Sequence, residues 1–298
     1  MSECILVSGA TGVLGREICR RLRAEGLEVR AMVRPDSSHT DELADMGCDF
    51  TTANLLDPPS LSSSCEGVHQ VINTATAIGT LRKGQDMAAI DRDGVKALVD
   101  AAEGAGVRNF TFVSIPSSAE GIRFFQYKRS VEERLRAGSI TSTILQPGAF
   151  MDSAFDPSNG WDVSGGKVKM IGAGRTRTPF IAVEDVAKAA VAVTLHPELQ
   201  GRDWPMAGPE SLNHREALAI FEDVYGTTAK VQSAPAWLVR GLSKVVMPFR
   251  EDLASIMQII SSDLSTMTVD TPGELKSQLE PMVTVREFAR KQKAARTV

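Results

Sequence analysis

Tyrosine, tryptophan, cysteine and histidine are scarce in this chain of 298 residues, which holds two, three, four and four of them. The cysteines, Cys4, Cys19, Cys48 and Cys65, are scattered and form no Cys-x-x-Cys. That excludes a disulfide-stapled scaffold and leaves reduced thiols, with a redox pair as the alternative. The histidines, His39, His69, His196 and His214, have no metal-ligand spacing, so no metal is expected. No segment approaches the ~20 apolar residues that span a bilayer. The first residues lack a basic n-region and a cleavage site, so a cytoplasmic location without membrane contact is the expectation. With 33 basic and 37 acidic residues, the formal charge of -4 gives no overall attraction to nucleic acid or anionic lipid.

What the chain does have stands at its start. The β run Glu3-Cys4-Ile5-Leu6-Val7-Ser8 breaks into Gly9-Ala10-Thr11-Gly12-Val13-Leu14-Gly15 and then into a helical stretch over 16–24. Strand, glycine turn and helix in this order are what a dinucleotide pyrophosphate requires. Gly9 permits the sharp turn, Gly12 lets backbone N–H groups close on phosphate, and Gly15 lets helix and strand pack closely. The helix amino end adds its unpaired N–H groups and positive dipole end.

Strand-like and helix-like stretches then alternate through the first half. Strands are predicted near 27–33, 49–53, 68–72, 110–114 and 141–145, and helices near 37–46, 59–64, 84–105 and 124–137. Such alternation predicts an α/β fold, a Rossmann-type doubly wound parallel sheet covered by helices on both faces. Beyond Pro147 the pattern loosens. Residues 160–174 read as loops or a hairpin, 179–183 and 203–207 as short strands, and 184–195 as a helix. Asn213 reads as the cap of a helix ending near Tyr225. Further helices are predicted at 236–246, 251–262 and, from Thr284, 283–291. The division expected is a cofactor-binding domain over 1–150 and a smaller, mostly helical substrate-side region over 151–298, with about 180–195 packing back on the first. Met151, Phe155, Trp161, Phe180 and Trp237 are candidates to line an apolar pocket.

The end of the second strand faces the adenosine ribose in such units, where an acid suits a 2′-hydroxyl and a base a 2′-phosphate. Arg34 stands there, nineteen residues beyond Gly15, with Ser37 and Ser38 behind it. A guanidinium pairs bidentately with phosphate, so NADP is the expected cofactor. Asp36 offers the carboxylate that an NAD site uses, which keeps NAD as the alternative.

Taken together, these residues resemble the atypical, NmrA-like branch of the short-chain dehydrogenase/reductase superfamily. The resemblance is carried by the glycine turn and Val29-Arg30-Ala31-Met32-Val33-Arg34, and by Asn54-Leu55-Leu56-Asp57, Asp91-Arg92-Asp93-Gly94-Val95, Pro147-Gly148-Ala149-Phe150 and Val183-Glu184-Asp185-Val186-Ala187. It implies that Gly9, Thr11, Gly12, Val13, Leu14, Gly15 and Arg34 hold the phosphates. It places Asn54 and Leu55 beside the adenine, Thr74, Ala75 and Thr76 along the phosphates and ribose, and Pro147, Gly148 and Phe150 at the nicotinamide. Asp185 would anchor its helix.

The superfamily's usual engine is Tyr-x-x-x-Lys on one helical face. The resemblance places Lys128 at the lysine, for both ribose and proton, and Phe124 where the tyrosine would stand. Tyr127 is near, about 60° round the helix. Ser114 and Ser117 stand close to the assisting serine. Three readings follow: an NADP-dependent reductase of a small apolar carbonyl, enone or quinone-like substrate, a non-catalytic NADP(H) sensor reporting to a protein partner, and an accessory subunit that keeps the nucleotide as a structural element.

Overall fold

The computed structural model describes residues 3–82, 85–116, 121–262 and 270–296. Its strands are β1 (Cys4–Ser8), β2 (Glu28–Val33), β3 (Asp49–Thr52), β4 (Gln70–Asn73), β5 (Asn109–Val113), β6 (Thr141–Pro147), β7 (Trp161–Asp162), β8 (Lys167–Ile171), β9 (Asp203–Met206) and β10 (Lys230–Ala234). The helices of the first half are α1 (Val13–Ala24), α2 (Thr40–Asp45), α3 (Pro58–Cys65), α4 (Val95–Gly104) and α5 (Arg123–Ala137). Those of the second are α6 (Met151–Ala154), α7 (Val183–Leu195), α8 (His214–Tyr225), α9 (Ala236–Val246), α10 (Glu251–Ser261), α11 (Gly273–Leu279) and α12 (Val285–Ala295).

Seven parallel strands form one sheet in the order β3-β2-β1-β4-β5-β6-β9. The chain winds outward from β1 on one side and from β4 on the other, which leaves a crevice between their carboxyl ends, the place where open α/β sheets bind ligands. Successive side chains leave a strand on opposite faces. Ile5 and Val7 therefore meet α1 and α7 through Ile18, Leu22, Val186 and Val193. Leu6 and Val71 meet α3, α4 and α5 through Leu61, Leu98, Val131 and Leu135. The predicted doubly wound parallel sheet is the fold observed, and both α7 and β9 return from the second half of the chain to build it.

The second half also builds a core of its own. β7 and β8 form the antiparallel hairpin within 160–174, and β10, not foreseen from the sequence, adds to β8 in parallel. Asn213 and Thr284 each begin a helix with a reciprocal capping box, to Glu216 and Glu287. Two expectations are corrected. Residues 179–183 form no strand. Only single bridges at Thr178 and Ile181 pair there, because Pro179 has no N–H to give. The helix predicted from 84 is interrupted by a π-turn, Ala89–Gly94, before α4 begins, while residues 83 and 84 lie outside the described ones. The wider turn seats Gly94 against the Leu55 carbonyl, where an added Cβ would lie 2.6 Å from the oxygen.

Candidate functional site

The glycine turn is fixed by contact with its neighbours. Gly9 has φ +80°, and a Cβ on it would lie 2.6 Å from both the Ala75 nitrogen and Thr74 Oγ1. On Gly15 a Cβ would lie 2.1 Å from the Gly9 carbonyl oxygen. Thr74 closes the arrangement by donating its hydroxyl to the Ser8 carbonyl at 3.0 Å. α1 starts at Val13, with Gly12 as its cap and no side chain bonding the first turn. The N–H groups of Val13, Leu14 and Gly15 therefore have no acceptor within the helix, and the Thr11 carbonyl accepts instead from Arg16 Nη1 at 2.6 Å. Unclaimed donors at a helix amino end, with no Cβ in the way, fit a diphosphate.

Arg34 follows β2 and is exposed. Its backbone N–H donates to Ser37 Oγ at 2.9 Å, and its guanidinium makes no hydrogen bond or ion pair among the described residues. Asp36 is paired with Arg82, whose hydrogen bond holds that carboxyl below its usual range. The carboxylate that an NAD site would use is thus engaged elsewhere. Asn54 Oδ1 accepts from the Leu56 N–H at 3.1 Å in a local turn, and Leu55 is buried beside Gly94. Thr76 Oγ1 accepts from the Ile78 N–H at 3.2 Å. At the end of β6, Pro147 is buried, Gly148 donates its N–H to the Met206 carbonyl at 2.9 Å, and Phe150 bridges to Ile181.

Lys128 on α5 is buried, with Nζ 3.8 Å from Asp91 Oδ1 in the π-turn. The amine also lies 5.0 Å from the centre of the Phe112 ring and 5.5 Å from that of Phe124. Burial pushes its pKa down, and the Asp91 carboxylate acts against that. Asp91 Oδ2 accepts from the Ala77 N–H at 2.8 Å. Asp91 Oδ1, Ser8 Oγ and both polar atoms of the Asn73 side chain are buried with no hydrogen-bond partner among the described residues. Ser8 and Asn73 are register partners, and Asn73 pairs in turn with Phe112, over whose ring the amine sits. Unpaired buried polar atoms are uncommon in folded proteins, and these leave room for a water or ligand to complete the set.

The other proposed acid–base groups are held by different partners. Ser114 donates its hydroxyl to the buried Glu132 at 2.5 Å, and Arg129 and Gln146 donate to the same oxygen. Tyr127 donates to Glu251 at 2.8 Å. Burial, and then that hydrogen bond, push its phenol up to about 12. Ser117 lies outside the described residues. Asp185, buried, accepts from Lys188 Nζ at 2.8 Å and the Val283 N–H at 2.9 Å, tying α7 to the segment before α12.

Reasoning from the sequence missed Asp91, Ser8 and Asn73 as members of this cluster. Asp91 left a signal: it stands four residues before Val95 and seven before Leu98, on the apolar face of the predicted helix. The apolar-pocket expectation is corrected. Met151, Phe155, Trp161 and Phe180 are buried in one packed cluster, with Phe155 ring centres 5.0 Å from Trp161 and 4.8 Å from Phe180. They are core because the small second sheet and α8 close over them. Trp237 lies outside that core, exposed on α9.

A parallel sheet with this strand order and a glycine turn leading into an uncapped helix define the NAD(P)-binding type of α/β fold. Within that type the chain belongs to the NmrA-like family, whose model matches residues 1–289. It is 28% identical to the photosystem II assembly factor Ycf39 of Cyanophora paradoxa, over 78% of this chain and 71% of that one. It is 24% identical to the NAD(P)H azoreductase of Xenophilus azovorans, over 98% of each chain. The NADPH-dependent quinone oxidoreductase QOR2 of Escherichia coli, solved with NADPH, has the same fold, with a TM-score of 0.77 and 20% identity over 97% of this chain and 99% of that one. Among the described residues no helix is long and apolar enough to cross a membrane, and no three His, Cys, Asp or Glu residues are grouped to hold a metal.

Proposed function

We propose that the protein is an NADP-dependent reductase of a small apolar carbonyl, enone or quinone-like acceptor. The observation that carries this reading is the Lys128–Asp91 pair, buried behind the carboxyl ends of β1 and β4. The residues that would hold the cofactor are Gly9, Thr11, Gly12, Val13, Leu14 and Gly15 at the diphosphate and Arg34 at the 2′-phosphate. Asn54 and Leu55 would border the adenine, Thr74, Ala75 and Thr76 the ribose side, and Lys128, Pro147, Gly148 and Phe150 the nicotinamide end. When bound, such a cofactor supplies a hydride. Lys128 supplies the proton or hydrogen bond to the acceptor oxygen, and Asp91 offsets part of the cost that burial imposes on the cationic amine. The four free thiols suit a reducing, cytoplasmic setting.

A second reading, nucleotide binding without turnover in the service of a protein partner, is favoured by Phe124 at the tyrosine position. Both Ser114 and Tyr127 are also held by carboxylates outside the Lys128 cluster. One relative named above is an assembly factor and another a reductase. The test is a fluorescence titration with NADPH and NADH, followed by a screen of quinones, enones and aldehydes for loss of nicotinamide absorbance. Tight NADPH binding with oxidation by an acceptor supports the reductase. Binding with every acceptor inert overturns it in favour of the second reading, and no binding overturns both.

A further inference from the structure

α9 is built inside out. Its one buried residue is Ser243, whereas Trp237, Leu238, Leu242 and Val245 are 74%, 50%, 51% and 65% exposed. On a helical projection Trp237, Gly241, Val245, Leu238 and Leu242 follow one another within an arc of about 140°. Lys244 and Arg240 border that arc on its Trp237 side, about 20° and about 60° beyond it. The turn after α9 adds Phe249, which is 83% exposed. Scattered apolar side chains on a surface need no explanation, but a contiguous stripe marks a contact surface.

The charges decide what it contacts. Residues 236–250 hold Arg240, Lys244 and Arg250 and no carboxylate. Arg250 is spent on the buried Asp252, at 2.9 Å. Arg240 gives one N–H to the Ser261 carbonyl and keeps its charge, and Lys244 makes no ion pair among the described residues. An apolar face with Trp and Phe, rimmed by cations, is the composition of a helix lying in a bilayer interface. There the rings sit at headgroup level and the basic side chains reach anionic headgroups. A second copy docking by the same face brings no acid to meet Arg240 and Lys244. We infer that α9 and the turn after it dock this protein on an anionic lipid surface. The net charge of -4 on the chain as a whole conceals this, because attraction within a Debye length depends on local charge.

The test is flotation of the full-length protein with phosphatidylcholine vesicles made with and without phosphatidylglycerol. The protein co-floats with the anionic vesicles and is released by salt. Trp237→Ser with Phe249→Ser lowers its partitioning by ~10-fold or more. Arg240→Gln with Lys244→Gln reduces binding to the level seen with phosphatidylcholine alone. Unchanged circular dichroism and melting temperature show that these surface variants still fold. Failure to co-float, or flotation indifferent to the Trp237 and Phe249 changes, overturns the inference. So does a self-association in sedimentation that those two changes abolish while vesicles leave the protein unbound.

Discussion

The two ends of the site are made of different material. At the glycine turn, proposed above for the diphosphate, the determinants are backbone: Gly9 and Gly15 are excluded from carrying side chains by atoms of Ala75 and of Gly9 itself. At the Lys128 end they are side chains from four separated segments, Ser8, Asn73, Asp91 and Lys128, and most of their polar atoms lack hydrogen-bond partners among the described residues. The first kind of site is fixed by local geometry and tolerates little change. The second is a balance of burial against charge, which single substitutions can tilt either way.

The largest effect expected from breaking the contrast is at Lys128. Lys128→Ala lowers turnover by ~10²- to 10³-fold and leaves NADPH affinity within ~10-fold, since the turn is untouched. Because burial lowers the lysine pKa and Asp91 opposes that, a reaction needing the ammonium form falls as pH rises through the lysine pKa. Asp91→Asn removes the opposing charge and moves that fall to lower pH. Stability follows the same group with the sign worked through linkage. Between the lowered folded pKa and the ordinary lysine value the unfolded chain binds the extra proton, so stability rises with pH across that window. Lys128→Met with Asp91→Asn flattens the rise, as thermal melts across pH would record. Turnover of Lys128→Ala equal to wild type would remove the lysine from the chemistry.

The next effect sharpens the diphosphate end. Arg34→Ala weakens NADPH by ~10-fold or more, because charge-assisted hydrogen bonds to the 2′-phosphate are lost, and leaves NADH unchanged. Isothermal titration with both nucleotides measures it. Equal loss for the two would show that Arg34 supports the fold of the turn and does not read the phosphate.

The same division decided what the sequence could disclose. Gly9, Gly12 and Gly15 are legible because glycine is the local answer to a local steric demand, and the strand before them and helix after them agree. Asn213 and Thr284 are legible for a similar reason, since a cap and its partner three residues on are a local pair. Lys128 came through only by likeness to a family helix. Its partner Asp91 shares the apolar face of the predicted helix with Val95 and Leu98, but the π-turn that carries it has no periodic signature. Ser114 and Tyr127 read as proton carriers in one dimension and are claimed in three by Glu132 and Glu251. The aromatic residues suffered most. Phe155, Trp161 and Phe180 meet because β7, β8 and α8 enclose them, whereas Trp237, of the same chemical type, is left outside.

The smallest expected effect is the most discriminating one. Tyr127 is the only tyrosine on α5, and its phenol stays protonated until about 12. Tyr127→Phe removes its hydrogen bond to Glu251, which joins α5 to α10, and costs about 1 kcal/mol of stability. Turnover with the best acceptor should change less than ~2-fold, and the pH profile should keep its shape, because a phenol bound to a carboxylate is a poor proton donor at neutral pH. A loss matching that of Lys128→Ala would mean that the phenol leaves Glu251 when substrate binds. The chemistry would then belong to a tyrosine one residue before the lysine, and the lysine end would be a pair of acids in place of one.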